Sequence, residues 1–324
     1  MRYIVVGAGA VGGTIGGRLF QSGHDVVLVA RGAHYDALRR DGLRLATPAS
    51  TETLDIPAAS GPVRLRDDDV LILAVKSQDT VAALDPWPRH LPVVCAQNGV
   101  ANERMALRRF DHVYGMCVWL PSSHLEPGAV TAYGAPMSGM LQLGLYPGGT
   151  DELSEQLAAD LRKSFFAGSA VPDVMRWKYA KLLGNLGNAY EALCGHAPGH
   201  EPILERVTAE GRAVLNAAGI AYASPDEEAA RRGDQVRTEP VGGDPRGGGS
   251  SWQSLARGSG TIEADYLNGE IVLLGRELGI PTPANEVLRR EANRSARERL
   301  LPGSMSPQTL AGLIDAHAAA SGAR

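Results

Sequence analysis

The first 21 residues constrain this chain more than any other stretch: Met1-Arg-Tyr-Ile-Val-Val6 runs straight into Gly7-Ala8-Gly9-Ala10-Val11-Gly12, and residues 14–20 continue with helical spacing. Strand, tight turn and helix follow one another with no spare residue. Gly7 suits a sharp turn, Gly9 leaves the backbone open to a ligand, and Gly12 lets the helix pack close on its strand. The free N–H groups and dipole at that helix start favour anions, so residues 7–12 read as a cradle for a pyrophosphate. A turn at Ser22-Gly23-His24 and a second strand from Asp25 complete the βαβ unit in which a GxGxxG pattern means a dinucleotide site.

The end of the second strand narrows the ligand. A site for NAD or FAD places a carboxylate there to accept hydrogen bonds from the ribose hydroxyls. This chain has Ala30-Arg31-Gly32 instead. A guanidinium pairs bidentately with a 2′-phosphate, so the expected cofactor is NADP(H). The alternative is that Arg31 is only a surface residue of the next helix.

At 324 residues the chain is long enough for two domains, each with its own core. The formal net charge of −4 gives no general attraction for nucleic acid or an anionic membrane, so neither is expected as a partner. The three cysteines, Cys95, Cys117 and Cys194, are odd in number and lack paired spacing, which fits packing residues in a reducing compartment. With no signal-peptide pattern and no apolar run near the ~18 residues of a membrane span, a soluble cytoplasmic protein is expected.

The first half alternates apolar runs with helical patterns, as a doubly wound parallel sheet requires. Residues 69–75, 92–97 and 113–118 are short, continuous and apolar, the signature of strands buried on both faces. Residues 129–133 and 141–145 read as added antiparallel strands, and a helix over 151–165 closes the domain. Beyond about residue 172 no strand signal of comparable strength appears. Helices are expected over 174–193, 201–218, 260–278, 284–300 and 308–320, giving an α/β domain over 1–172 and a mostly helical domain over 173–324. The stretch 239–251, rich in Gly and Pro, interrupts it as either a linker or a mobile loop over a cleft.

Ligands of open α/β sheets bind outside the carboxyl ends of the strands. Two polar clusters follow such ends, Val75-Lys76-Ser77-Gln78 and Gln97-Asn98-Gly99. Lys76 is placed to reach a phosphate, and Asn98 to hold a ribose, nicotinamide or substrate carbonyl. The alternative is that both are solvated loop residues. On the helix over 174–193, Lys181, Asn185 and Asn188 share a stripe about 60° wide, presenting an ammonium and two amides on one face. Lys178 lies about 60° from Lys181 on the same wheel and competes with it. Among largely apolar neighbours, with Leu182, Leu183, Leu186 and two glycines expected to be buried, these polar groups need partners or a function. A third cluster, Glu263-Ala-Asp265-Tyr-Leu-Asn268, offers Glu263 as an acid, with Asp265 and Asn268 as surface or packing residues. Cys194, His196 and His200 have a superficial metal-ligand spacing, but the intervening Ala197-Pro198-Gly199 breaks the helix and no fourth ligand is evident, so no metal is expected.

Together these motifs resemble those of the ketopantoate reductases (2-dehydropantoate 2-reductases). The resemblance rests on GAGAVGG at 7–13, Arg31, VKSQD at 75–79, QNGV at 97–100, KLLGN at 181–185, Ser250-Ser251 and EADYLNG at 263–269, and it covers nearly the whole chain. It implies a Rossmann-type domain joined to a helical domain like that of 6-phosphogluconate dehydrogenase. It also implies hydride transfer from NADPH to the keto carbon of a 2-oxo acid. Lys181 would then be the general acid, Asn185 would hold the substrate, and Ser251 its carboxylate. Glu263 would contact the nicotinamide ribose and the substrate, with Lys76 and Asn98 serving the cofactor side. A carbonyl accepting hydride gains negative charge, which an adjacent ammonium both stabilises and protonates.

The departures bear on the substrate. The family has a second asparagine eight residues after its lysine, where this chain has Ala189 with Asn188 one position earlier. On a helix that shift rotates the amide by about 100°, so Asn188 is either a compensated replacement or part of a changed substrate pocket. Trp252-Gln253-Ser254 after Ser251 also differs from the family pattern. The rival readings are a reductase of another keto acid, ketone or imine, and a non-catalytic NADP(H)-binding sensor. The joint presence of Lys181, Asn185, Ser251 and Glu263 argues against the sensor. Helical faces for a homodimer and for domain packing look alike in sequence.

Overall fold

The computed structural model describes residues 1–322. Fourteen described strands run in chain order as β1 Arg2–Val6, β2 Asp25–Val29, β3 Leu43–Ala46, β4 Thr51–Leu54, β5 Ala58–Ala59, β6 Asp69–Leu73, β7 Val93–Cys95, β8 Val113–Trp119, β9 Ser122–Ser123, β10 Ala129–Ala132, β11 Gly134–Pro136, β12 Gly139–Leu145, β13 Phe166–Ala170 and β14 Val236–Thr238. The described α-helices are α1 Ala10–Gln21, α2 Gly32–Asp41, α3 Thr80–Leu84, α4 Asn102–Leu107, α5 Glu152–Lys163, α6 Val174–Asn185, α7 Asn188–Cys194, α8 Glu201–Ala217, α9 Pro225–Arg232, α10 Ser250–Ala256, α11 Asn268–Leu278, α12 Pro283–Arg297 and α13 Pro307–Gly322. They fall into two units, one of residues 1–178 with 223–246 and the other of 179–222 with 247–322.

The first unit is built on an eight-stranded sheet of order β13-β12-β8-β7-β6-β1-β2-β5. From β8 to β5 every pairing is parallel, and β12 turns antiparallel against β8. The central strands are buried on both faces, which explains their unbroken apolar runs. Along β1, Tyr3 and Val5 enter one core cluster and Ile4 and Val6 the other, as a side-chain period of two requires. Gly7 sits at φ +99°, and a Cβ there would come within 2.7 Å of Val75 N. On Gly12 it would lie 2.1 Å from Gly7 O, so this turn admits no larger residue at either position.

Seven of the described strands, β3, β4, β5, β9, β11, β13 and β14, lie where no strand was expected, and two of them are informative. β13 (Phe-Ala-Gly-Ser-Ala) is composed mostly of small residues, and its pairing with β12 imposes the extended backbone that its own propensity would not. β14 pairs antiparallel with β11, which is why residues 223–246 belong with the sheet rather than with the helices that flank them in sequence. Partition of the chain therefore departs from the single cut at 172/173 suggested by composition.

The second unit is helical. The helix expected over 174–193 is interrupted: α6 ends at Asn185, Leu186 and Gly187 form a turn, and α7 begins at Asn188. The break is stitched by a buried polar chain. Asn268 Nδ2 donates to Leu186 O and to Asn285 Oδ1, and Asn285 Nδ2 donates to Val207 O and to the Glu210 carboxylate. A carbonyl satisfied by a side chain has no need of the next helical turn. Leu182, Leu183 and Leu186 are buried as expected, whereas Gly184 is exposed and Gly187 half-buried. No described helix is long and apolar enough to cross a membrane.

Candidate active site

In the first unit the candidate groups stand at the carboxyl ends of β1, β2, β6 and β7. The turn of residues 7–12 opens α1, whose first turn carries no acidic residue to oppose an anion. A Cβ on Gly9 would meet nothing nearer than His124 Cδ2 at 3.9 Å, so the backbone there is open to a bulky ligand. Arg31 is the exposed N-cap residue of α2, immediately beyond β2. These features fit the pyrophosphate and ribose phosphate of a dinucleotide.

His34 braces the same turn, and sequence reasoning missed it. The Gly128 N–H donates to its Nδ1 at 2.9 Å, so Nε2 carries the proton and donates to Ala8 O at 2.8 Å. Its ring lies 4.3 Å from that of His124, whose Nδ1 donates to Ala129 O. Burial lowers the His34 pKa below its usual 6.5, partly offset by the Ala8 bond. For a base with a depressed folded pKa, the unfolded chain binds protons first. The stabilisation is then complete above about pH 6.5 and is lost as pH falls toward the folded value. In chemical unfolding between pH 8 and 5, the stability advantage of wild type over His34→Phe is expected to shrink on acidification. A gap that widens instead would refute the brace.

Lys76 and Asn98, both half-buried, are carried by two loops bound into one network. Gln97 Nε2 donates to Val75 O at 3.0 Å and to Thr80 Oγ1 at 2.8 Å, tying the loop after β7 to the loop after β6. Thr80 donates to Asn102 Oδ1, and Asn102 Nδ2 donates to Ser77 Oγ and Asn98 O. Lys178 belongs to this network and not to an open cleft. Its Nζ lies 2.5 Å from Glu103 Oε1 and donates to Gln97 O at 2.9 Å and Met116 O at 3.4 Å.

The second unit holds the other candidates. Lys181 is half-buried on α6, one turn before Asn185. Asn185 is 8% exposed, and its Nδ2 is buried without a hydrogen-bond partner among the described residues. An orphaned buried amide donor is costly unless a ligand satisfies it. Because of the break at Leu186, Asn188 does not continue the Lys181–Asn185 stripe. It opens α7 with its Oδ1 3.6 Å from a Cβ built on Gly249, while Ala189 is buried.

Ser251 is buried at the start of α10, reached through the last glycines of the 239–251 stretch. That stretch is tied down at both ends. Glu239 N donates to Tyr133 O in the first unit. In the second, Glu191 accepts the Gly249 N–H at 2.8 Å, His196 Nε2 donates to Gly247 O at 3.1 Å, and Gln253 donates to Gly248 O. A Cβ on Gly248 would lie 2.5 Å from the Trp252 ring, so the indole packs directly on bare backbone. Glu263 is buried in a short 3-10 turn, Glu263–Tyr266, and its charge raises the pKa of Arg257, which burial lowers more strongly. Arg257 is a partner that no spacing argument identified. Asp265 stays at the surface, paired with Arg289 and Asn293.

Comparison with known proteins covers the segments that carry these groups. Residues 3–148 fit the family described as ketopantoate reductase PanE/ApbA, and residues 173–294 fit its C-terminal part. The chain is 27% identical over 310 residues to a 2-dehydropantoate 2-reductase of Pyrococcus horikoshii, covering 89% of this chain and 95% of that one. A similar protein of Archaeoglobus fulgidus is 29% identical over 297 residues, covering 89% and 95%. Among solved structures, a PanE/ApbA family ketopantoate reductase from Ralstonia eutropha JMP134 superposes with a TM-score of 0.77 at 30% identity, covering 92% of this chain and 99% of that one. A D-mandelate dehydrogenase with NADH and anilino(oxo)acetate has the same fold, with a TM-score of 0.77 at 21% identity over 93% and 100%. The chain therefore belongs to the ketopantoate reductase family of oxidoreductases.

Proposed function

We propose that this protein reduces the keto group of a 2-oxo acid with NADPH, with 2-dehydropantoate as the first candidate substrate. The observation that carries the reading is the contrast along α6. Lys178 is sealed in a protein network, whereas Lys181 is half-buried one turn before an amide, Asn185, whose buried donor lacks a protein partner. Relatives named 2-dehydropantoate 2-reductase support the substrate class, and the NADH in the D-mandelate dehydrogenase structure supports a nicotinamide. Arg31 beyond β2 supports the 2′-phosphorylated form.

A bound nicotinamide supplies the hydride that reaches the keto carbon. Lys181 gives a proton from its ammonium to the carbonyl oxygen as charge builds there, and regains one from solvent afterwards. Asn185 Nδ2 donates to the substrate, and Ser251 binds its carboxylate. Glu263 accepts from the nicotinamide ribose and the substrate, while Lys76 and Asn98 hold the cofactor side. The turn of residues 7–12 and Arg31 bind the phosphates. Ala189 in place of the family's amide, together with the Glu191–Gly249 bond, supports the second reading, a 2-oxo acid with a different side group. The protein is expected to act in the cytoplasm, and a homodimer is consistent with a relative described as a dimeric ketopantoate reductase.

The test is NADPH oxidation followed at 2-dehydropantoate and a panel of other 2-oxo acids, ketones and imines. Turnover of a 2-oxo acid supports the reading; NADPH binding with no turnover of any panel member would favour the sensor. Replacing Arg31 by Asp is expected to lower kcat/KM for NADPH relative to NADH by about tenfold or more, the loss of a charge-assisted contact. An unchanged ratio would remove Arg31 from the phosphate.

A further inference from the structure

The Lys178–Glu103 pair is the most deeply buried charge pair beside the candidate site, with side chains 2% and 0% exposed. Ion pairs taken out of water rarely stabilise a fold more than apolar residues of the same volume. Stability alone therefore does not account for this one. Its geometry supplies another role. Lys178 Nζ donates to Gln97 O, the carbonyl just before Asn98, while Asn102 Nδ2 donates to Asn98 O, the carbonyl just after the Asn98 side chain. The Gln97 side chain is held separately by Val75 O and Thr80 Oγ1, and Gly99 takes φ +77° to turn the chain away. The backbone on either side of Asn98 is thus clamped, and its own side-chain amide stays half-buried and uncommitted to any of these bonds.

We propose that the buried Lys178–Glu103 pair is a positioning device for Asn98: Glu103 holds the Lys178 ammonium so that it fixes the Gln97 carbonyl, which aims the Asn98 amide at the bound ligand. The role given to Asn98 rests on the functional reading above. Lys178 touches no reacting atom; it acts through the residue it holds.

The test separates positioning from stability by replacing both charges with apolar residues, Lys178→Met with Glu103→Leu, which leaves no buried charge unpaired. The double variant is expected to unfold at close to the wild-type denaturant concentration. Its kcat is expected to fall about tenfold to a hundredfold, as displacement of a contacting group by about an ångström does. Deuterium exchange of residues 97–100 is expected to rise. Adding Asn98→Ala to this background should then lower kcat no further, because Lys178 acts through Asn98, whereas independent effects would multiply. Wild-type kcat and exchange in a stable double variant would overturn the proposal, as would a full additional loss from Asn98→Ala. If the apolar pair does not fold, the neutral pair Lys178→Gln with Glu103→Gln goes through the same cycle. If wild type turns over no 2-oxo acid, the functional reading fails, and exchange at 97–100 alone decides the clamp: unchanged exchange overturns it.

Discussion

Lys181→Ala is expected to lower kcat by about two to four orders of magnitude, the usual worth of a general acid in the transition state. Lys181 is half-buried on α6, and its ammonium is not one of the fully buried charges whose loss strands a partner, so the variant should fold and unfold like wild type. NADPH affinity should change little, because the proposed role puts the ammonium on the substrate oxygen and not on the dinucleotide phosphates. Steady-state kinetics, fluorescence titration of NADPH and urea unfolding check the three statements separately. A kcat within a few-fold of wild type would remove Lys181 from proton transfer.

Lys178→Ala, three residues earlier on the same helix, is expected to act on stability as well as on turnover. Truncation leaves the Glu103 carboxylate fully buried without its cation and opens a cavity beside Gln97 and Met116. Breaking a buried pair by removing one partner destabilises by about 3–5 kcal/mol, a large part of a typical folding free energy. The variant should lose soluble yield and unfold at much lower urea, most sharply in the first unit, to which Lys178 belongs. A wild-type urea midpoint would show that the pair contributes little to the fold. Two lysines one turn apart therefore predict different phenotypes: Lys181→Ala keeps the fold and loses turnover, whereas Lys178→Ala loses stability as well.

That distinction could not be drawn from the sequence. On a helical wheel Lys178 and Lys181 are about 60° apart, and both sit among apolar neighbours. What separates them is Glu103, 75 positions earlier in the chain, which only the packing of α4 and α6 about the sheet brings to Lys178. The dinucleotide turn was legible because its requirements are local: Gly7 needs a positive φ and Gly12 a missing Cβ, and both are written in neighbouring residues. The central strands were legible because burial on both faces makes them uniformly apolar. β13 and the break at Leu186 were not, since one depends on pairing with β12 and the other on a hydrogen bond from Asn268, 82 residues away. His34 and Arg257 escaped notice for the same reason. Their partners, Gly128 and Glu263, belong to no motif that contains them.

The route of the chain between the two units limits how the protein can be divided. Residues 223–246 return to the first unit, where β14 covers the edge of β11 and Arg231 stacks 4.8 Å over the Trp177 ring. A fragment cut at Lys178 would leave that edge bare and remove the nearer of the indole's two cations, Arg176 standing 5.8 Å from the ring, so the dinucleotide-binding half is not a detachable module. Its sequence is interlaced with that of the helical half. Recombination that exchanges one half for that of a relative must therefore move two segments at once.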